Sequence, residues 1–167
     1  MATGALVSIS EYLSTSYDPD CDYVDGVIEE RNLGENDHAD LQGVTFAFLH
    51  NRRKEWGIYV VPEQRVQVSP TRFRVPDICV VAGPRPKEQI FRTPPFMCIE
   101  IVSPEDRLSR MSERLNDYLK FGVPYVFLLD PATRRGFRWT AEGMHEVHEL
   151  RTDEPAIVVP LADLFEA

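Results

Sequence analysis

The chain has 167 residues, 43% of them hydrophobic and 27% charged, which suits one globular domain spanning residues 1–167 and leaves too little for two comfortable ones. It has no apolar run of membrane-spanning length, no signal-peptide pattern in MATGALVSISEYL, and no CxxC pair among Cys21, Cys79 and Cys98, so a cytoplasmic protein without a membrane partner is expected. The net charge of −9 disfavours nucleic acid only on average: residues 1–40 and 142–167 carry −9 and −6, whereas 41–141 carry +6, and fifteen of the eighteen bases are arginine, which suits phosphate.

Ser8-Ile9-Ser10-Glu11-Tyr12-Leu13 reads as a short capped helix, and CDYVDGVIEERN as a hairpin turning at Asp25-Gly26. Asn36 or Asp37 is expected to cap a long helix reaching about Trp56, with Leu41, Val44, Phe48 and Leu49 at helical spacing. Strands follow at Ile58–Val61, Gln64–Val68 and Ile78–Val81. A Pro-rich, charged connection then leads to PPFMCIEIVSP, a strand buried on both faces. Asp106 is placed as the cap of a helix through Lys120, whose core stripe is Leu108, Met111, Leu115 and Leu119, with Gly122 as its stop. Tyr125–Leu129 is another buried strand. GFRWTAEGMHEVHEL and AIVV suggest peripheral antiparallel strands before a terminal helical turn at Pro160–Phe165. The fold class is α/β, with a mixed central sheet, flanking helices and a peripheral antiparallel C-terminal region.

Glu100 is out of place in its strand, because a buried carboxylate costs several kcal/mol unless paired or bound to a cation. Period-2 geometry puts Asp77 and Cys79 on one face of their strand, and Cys98, Glu100 and Val102 on one face of theirs. If the two strands are neighbours, Asp77 and Glu100 converge. Two hard carboxylates suit magnesium or manganese, an ion that can polarise a phosphate and activate water. The competing reading makes Asp77 a strand-starting residue and pairs Glu100 with a nearby arginine. Cys79 and Cys98 lack zinc-site spacing and read as small apolar residues. His145 and His148 read as peripheral.

RVPDICVV followed by FMCIEIVSP resembles the PD-(D/E)xK nuclease superfamily. More closely, YVDGVIEERN with His38 soon after, VPDICVV, IEIVSP, YLKFGVPYVFLLDP and VPLADLF, in that order over roughly residues 8 to 165, resemble the Uma-two family of bacterial restriction-endonuclease-like proteins. The resemblance implies a restriction-endonuclease-like core and a Mg²⁺- (or Mn²⁺-) dependent endonuclease that hydrolyses DNA phosphodiesters with a metal-activated water. It implies Asp77 and Glu100 as metal ligands, Ile101 as a backbone-carbonyl ligand, and Glu30 and His38 as residues lining the same cleft, with Glu30 a further ligand or water-positioner. Glu30 is chosen over its neighbour Glu29 on the family pattern alone. The superfamily's lysine, two residues past the glutamate, is replaced here by Val102, and the matching cation on the next helix is Arg114. Arginine can clamp a developing phosphate charge but cannot accept a proton as a base. The alternative for Arg114 is an ion pair with Glu113 or Asp117, and the alternative function is a catalytically weak nucleic-acid-binding or assembly module. Gln42, one turn beyond His38, shares its face, and Gln64 is read as pointing toward the sheet centre. Arg107 and Arg110 either contact phosphate or neutralise neighbouring acids. A homodimer is expected on the ground that paired sites readily cut two strands.

Overall fold

Ile78–Ala82 and Met97–Ile101, two runs buried on both faces, lie side by side in the middle of a six-stranded sheet. The computed structural model describes residues 5–31 and 35–166. In chain order the elements are α1 (Ile9–Ser14), β1 (Asp22–Val24), β2 (Val27–Glu29), α2 (Asn36–Asn51), α3 (Arg53–Trp56), β3 (Ile58–Pro62), β4 (Val66–Ser69), β5 (Arg72–Arg74), β6 (Ile78–Ala82) and β7 (Met97–Ile101). Then follow α4 (Leu108–Phe121), β8 (Tyr125–Asp130), β9 (Arg135–Thr140), β10 (Gly143–Val147), β11 (Glu149–Asp153), β12 (Ala156–Pro160) and α5 (Leu161–Phe165). The central sheet has the order β10-β9-β8-β7-β6-β3, with β7 and β8 parallel across the α4 connection and the other neighbours antiparallel. This is the expected mixed sheet flanked by helices.

Alternation along the strands assigns each face its own core. Ile78, Val80, Met97, Ile99, Ile101, Phe127 and Leu129 pack under α2, α5 and the β11-β12 ribbon. Cys79, Cys98, Val126 and Leu128 face the other way, toward Met111, Leu115 and Tyr118 of α4 and Val66 and Val68 of β4. The second face therefore receives Asp77 and Glu100, which share the phase of the two cysteines.

A smaller sheet of order β2-β1-β5-β4 stands beside α4. Its β1-β2 hairpin turns as expected at Asp25 and Gly26, whose φ values of 50° and 93° explain the Asp-Gly pair. β5 was not anticipated, and the expected 64–68 strand runs instead as β4, Val66–Ser69. Gln64 falls outside it, with its side-chain amide donating to the carbonyls of Arg65 and Gln89, so it tethers the Pro-rich connection rather than facing the sheet centre.

Four helix expectations need correction. The long helix breaks at Arg52 (φ −103°, ψ 7°), whose guanidinium lies 3.7 Å from the Phe48 ring centre, and only the short α3 reaches Trp56. Its N-cap is Glu35, without a side-chain bond, rather than Asn36 or Asp37. Asp106 likewise does not cap α4, which starts after Arg107; the Asp106 carboxylate accepts the Ser103 N–H at 2.7 Å and braces the preceding loop. Leu108 is 72% exposed and not part of the core stripe, because the first turn of α4 stands over a cleft beyond the end of β7. Gly122, at φ 108°, ends α4 as expected.

The small sheet is fastened to α4 by charge. Arg72 and Arg74 lie one pleat apart on β5 and turn to the same side, while Phe73 between them packs on Tyr12 and Tyr23. Arg74 is fully buried: Nε donates to Asp117 Oδ2 at 2.8 Å, and Nη1 to Glu29 Oε2 at 2.9 Å and Asp22 Oδ2 at 3.2 Å. Arg72 reaches Asp117, Asp25 and Glu113. Removing the central cation strands three acids around one cavity. Arg74→Met is expected to destabilise the protein by about 3–5 kcal/mol in urea unfolding, against little change if the ion cluster were merely peripheral.

Candidate active site

Antiparallel pairing sets Ile78 opposite Ile99 and Cys79 opposite Cys98, so the next pair outward is Asp77 and Glu100. The two carboxylates are 2% and 1% exposed and lie at the floor of a cleft of about 260 Å³. The cleft walls carry Glu30, His38, Gln42 and Glu63 on one side, and Arg107, Arg110 and Arg114 from the start of α4 on the other.

Asp77 is held from four directions. Arg31 Nη2 donates to Oδ1 at 2.6 Å, the Ile101 N–H donates to Oδ2 at 2.7 Å, and His38 Nε2 lies 3.4 Å from Oδ2. The side-chain amide of Gln42 donates to the Asp77 carbonyl at 3.0 Å. Burial pushes the Asp77 carboxyl upward, but His38, Arg31 and the Ile101 amide outweigh it and hold it below the usual carboxylate range. The same hydrogen bond, donated by His38 to Asp77, raises His38 above the ordinary histidine value against the opposing effect of burial, favouring its cationic form.

Glu100 is treated differently by its surroundings. The Tyr118 hydroxyl donates to Oε1 at 2.5 Å, while Oε2 lies 3.8 Å from Arg114 Nη1, beyond hydrogen-bond reach. Burial first, and then the charge of Asp77, push the Glu100 carboxyl up to about 8. Arg114 is directed by Asp22, whose Oδ2 lies 3.2 Å from Arg114 Nε and whose Oδ1 accepts the Val75 N–H at 3.0 Å. The carboxylates of Asp22 and Glu100 hold the Arg114 guanidinium firmly charged, although burial acts against it. Glu113 and Asp117, its anticipated surface partners, are engaged by Arg72 instead.

The structure thus brings Asp77, Glu100, Ile101, His38, Glu30 and Arg114 to one cleft. Glu30 is exposed on the cleft wall, whereas Glu29 turns away to Arg74. Cys79 and Cys98 are buried free thiols, two residue pairs further into the sheet. His145 lies on β10, against Thr140, away from the cleft. Three residues escaped sequence reasoning: Arg31, Asp22 and Tyr118. The last stands four residues from Arg114 on α4, a spacing that places both on one helix face.

Among the described residues no three His, Cys, Asp or Glu side chains form a metal cage. The carboxylate pair nevertheless fits a magnesium-type ion, which uses one or two carboxylates and keeps several waters. The fit rests on the opposed buried acids of Asp77 and Glu100, one of which needs a proton or a cation. A zinc-type site, built from several protein ligands, does not fit.

The sheet order, the α4 crossover and the buried acids at the strand end define a restriction-endonuclease-like fold. The Uma2 (Uma-two) family, described as "Putative restriction endonuclease", matches residues 9–166, and the chain belongs to that family. A crystal structure of a "putative nuclease" from Anabaena variabilis ATCC 29413 superposes with a TM-score of 0.84, covering 96% of this chain and 98% of that one. At 21% identity, that likeness is one of fold. The comparison with curated proteins gave no match. Restriction-endonuclease-like enzymes generally use divalent metals.

The Glu100 carboxyl has a testable signature in metal-free protein. Its proton is bound more tightly in the folded state than in the unfolded state, so the stability it contributes is complete below the unfolded value and lost as pH rises through about 8. In EDTA, wild type is expected to lose stability relative to Glu100→Gln as pH rises from about 5 to about 9, read from urea midpoints. A pH-independent gap would mean Glu100 is ionised throughout.

Proposed function

We propose that this chain is a Mg²⁺- or Mn²⁺-dependent DNA endonuclease whose metal is held by Asp77 and Glu100. The observation that carries this reading is the cross-strand pair of buried carboxylates beneath a cleft that also presents Arg107, Arg110 and Arg114. A divalent cation there would polarise a phosphate and lower the pKa of water. The Ile101 carbonyl and Glu30 would complete the set of ligands and water-holding groups.

The chain's own side chains supply positioning and charge. Tyr118 fixes Glu100 through Oε1 and leaves Oε2 facing the cleft. Asp22 lies against the Nε edge of Arg114, and Nη1, 3.8 Å from Glu100 Oε2, would meet a phosphate bound in the cleft. Arg114 thereby acts as a charge clamp in place of the lysine absent at Val102, and takes no proton. His38, whose pKa is raised by the Asp77 carboxylate, is suited to donate to a carboxylate or phosphate oxygen. Arg107 and Arg110 offer the substrate backbone two further cations at the cleft mouth. In this reading the chain works in the cytoplasm as a single domain, and a second copy cuts the opposite strand.

Plasmid and single-stranded DNA incubated with Mg²⁺ or Mn²⁺ test the proposal. Wild type should nick or cleave, while Asp77→Asn and Glu100→Gln fall to background. Tyr118→Phe, which loosens an outer-shell partner, should lose about 10–100-fold in activity or metal affinity. Equal cleavage by all four proteins would mark a contaminant and sink the site. The firm hold of Arg31 on Asp77 favours the alternative, a nucleic-acid-binding module with weak or no turnover. Retained DNA binding without metal-dependent cleavage by wild type would establish that alternative.

A further inference from the structure

Arg31 is a cation already seated where the proposed metal would bind. Its side chain is only 11% exposed, and Nη2 touches Asp77 Oδ1 at 2.6 Å. It differs from the other two arginines beside the buried acids in that its second acid, Glu63, is half exposed. Arg74 is enclosed by Asp22, Glu29 and Asp117, and Arg114 lies between the buried acids Asp22 and Glu100. Among the described residues Arg31 bonds Asp77 through a single nitrogen, and it lies past the end of β2, outside the strand ladder.

A second carboxylate is within reach of the same guanidinium. Glu63 Oε1 is 3.8 Å from Arg31 Nη1, and the Glu63 side chain is 51% exposed at the mouth of the cleft. The Glu63 backbone is tied down: its N–H donates to the Asp77 carbonyl at 3.2 Å. Arg31 therefore stands between one acid at the cleft floor and another at its rim.

We infer that Arg31 is the exchangeable counter-ion of this site. It neutralises Asp77 in the metal-free protein, yields Oδ1 to an incoming divalent cation, and moves toward Glu63, where its guanidinium faces substrate phosphate. Repulsion between a guanidinium and a divalent cation at one buried oxygen drives the exchange. Arg31 thus lowers the affinity of the site for metal while keeping the empty site stable. The inference rests on the reading of Asp77 and Glu100 as metal-holding residues.

Mn²⁺ binding to EDTA-stripped protein, followed by the electron paramagnetic resonance signal of free Mn²⁺, tests both levels. Arg31→Met should bind Mn²⁺ at least about tenfold more tightly than wild type, equivalent to about 1.4 kcal/mol. It should also melt lower in EDTA and gain more from Mn²⁺. Glu63→Gln should weaken Mn²⁺ binding more in wild type than in the Arg31→Met background. Equal or weaker binding by Arg31→Met, with Asp77→Asn abolishing it, overturns the role of Arg31 and leaves the metal reading standing. No Mn²⁺ binding by either wild type or Arg31→Met overturns both. A measurement on wild type alone guards against a variant that does not fold. In arginine side-chain NMR, saturating Mg²⁺ should move the Arg31 guanidinium resonances and leave those of Arg74 in place; an unmoved Arg31 overturns the exchange.

Discussion

The register of β6 on β7, carried one residue past the paired Ile78 and Ile99, sets Asp77 beside Glu100 at a depth where neither reaches solvent freely. Two acids so placed cannot both be ionised without nearby positive charge. Much of the surrounding architecture answers that constraint. Arg31, His38 and the Ile101 amide converge on Asp77, while Tyr118 and Arg114 converge on Glu100. The asymmetry is informative: Asp77 is stabilised as an anion, and Glu100 is left needing either a proton or a metal.

Behind this first ring lies a second. Asp22 links Arg114 to Arg74, and Asp117 links Arg74 to Arg72, so the small sheet, α4 and the central sheet meet through a seam of alternating charges beside the apolar contacts of Val66 and Val68. Such a seam contributes little net stability compared with well-packed hydrophobic residues, but its geometry is demanding. Here its product is orientation, because Asp22, held by Arg74 and the Val75 N–H, keeps a fixed negative charge beside Arg114.

The central architecture was legible because its signals are local and redundant. β6, β7 and β8 read as buried runs, Gly122 marked the end of α4, and Asp25-Gly26 marked the β1-β2 turn. The family resemblance added the order of the motifs, and Asp77, Glu100, Ile101, Glu30, His38 and Arg114 do share a cleft. Less was readable where an interaction is purely tertiary. Asp22 looks like an ordinary residue opening a hairpin, and its role appears only once β5 brings Arg74 against it. Arg31 and Asp77 are 46 residues apart, and no periodicity connects them. β5 is three residues long, and its basic alternation around Phe73 was the one available sign of two differently lined faces. Caps failed for a related reason: Asp106 serves the loop before α4 instead of the helix.

That alternation on β5 has a further consequence. Its register with β1 places Phe73 opposite Tyr23 and leaves Arg74 among acids. A slip of one residue would thrust a guanidinium between the rings of Tyr12 and Tyr23 and set a phenyl ring among three carboxylates. Both errors are costly, and each would deprive Arg114 of its support. The small sheet therefore acts as a proofreading element: only the strand alignment that buries both chemistries correctly also delivers a charged group to the cleft.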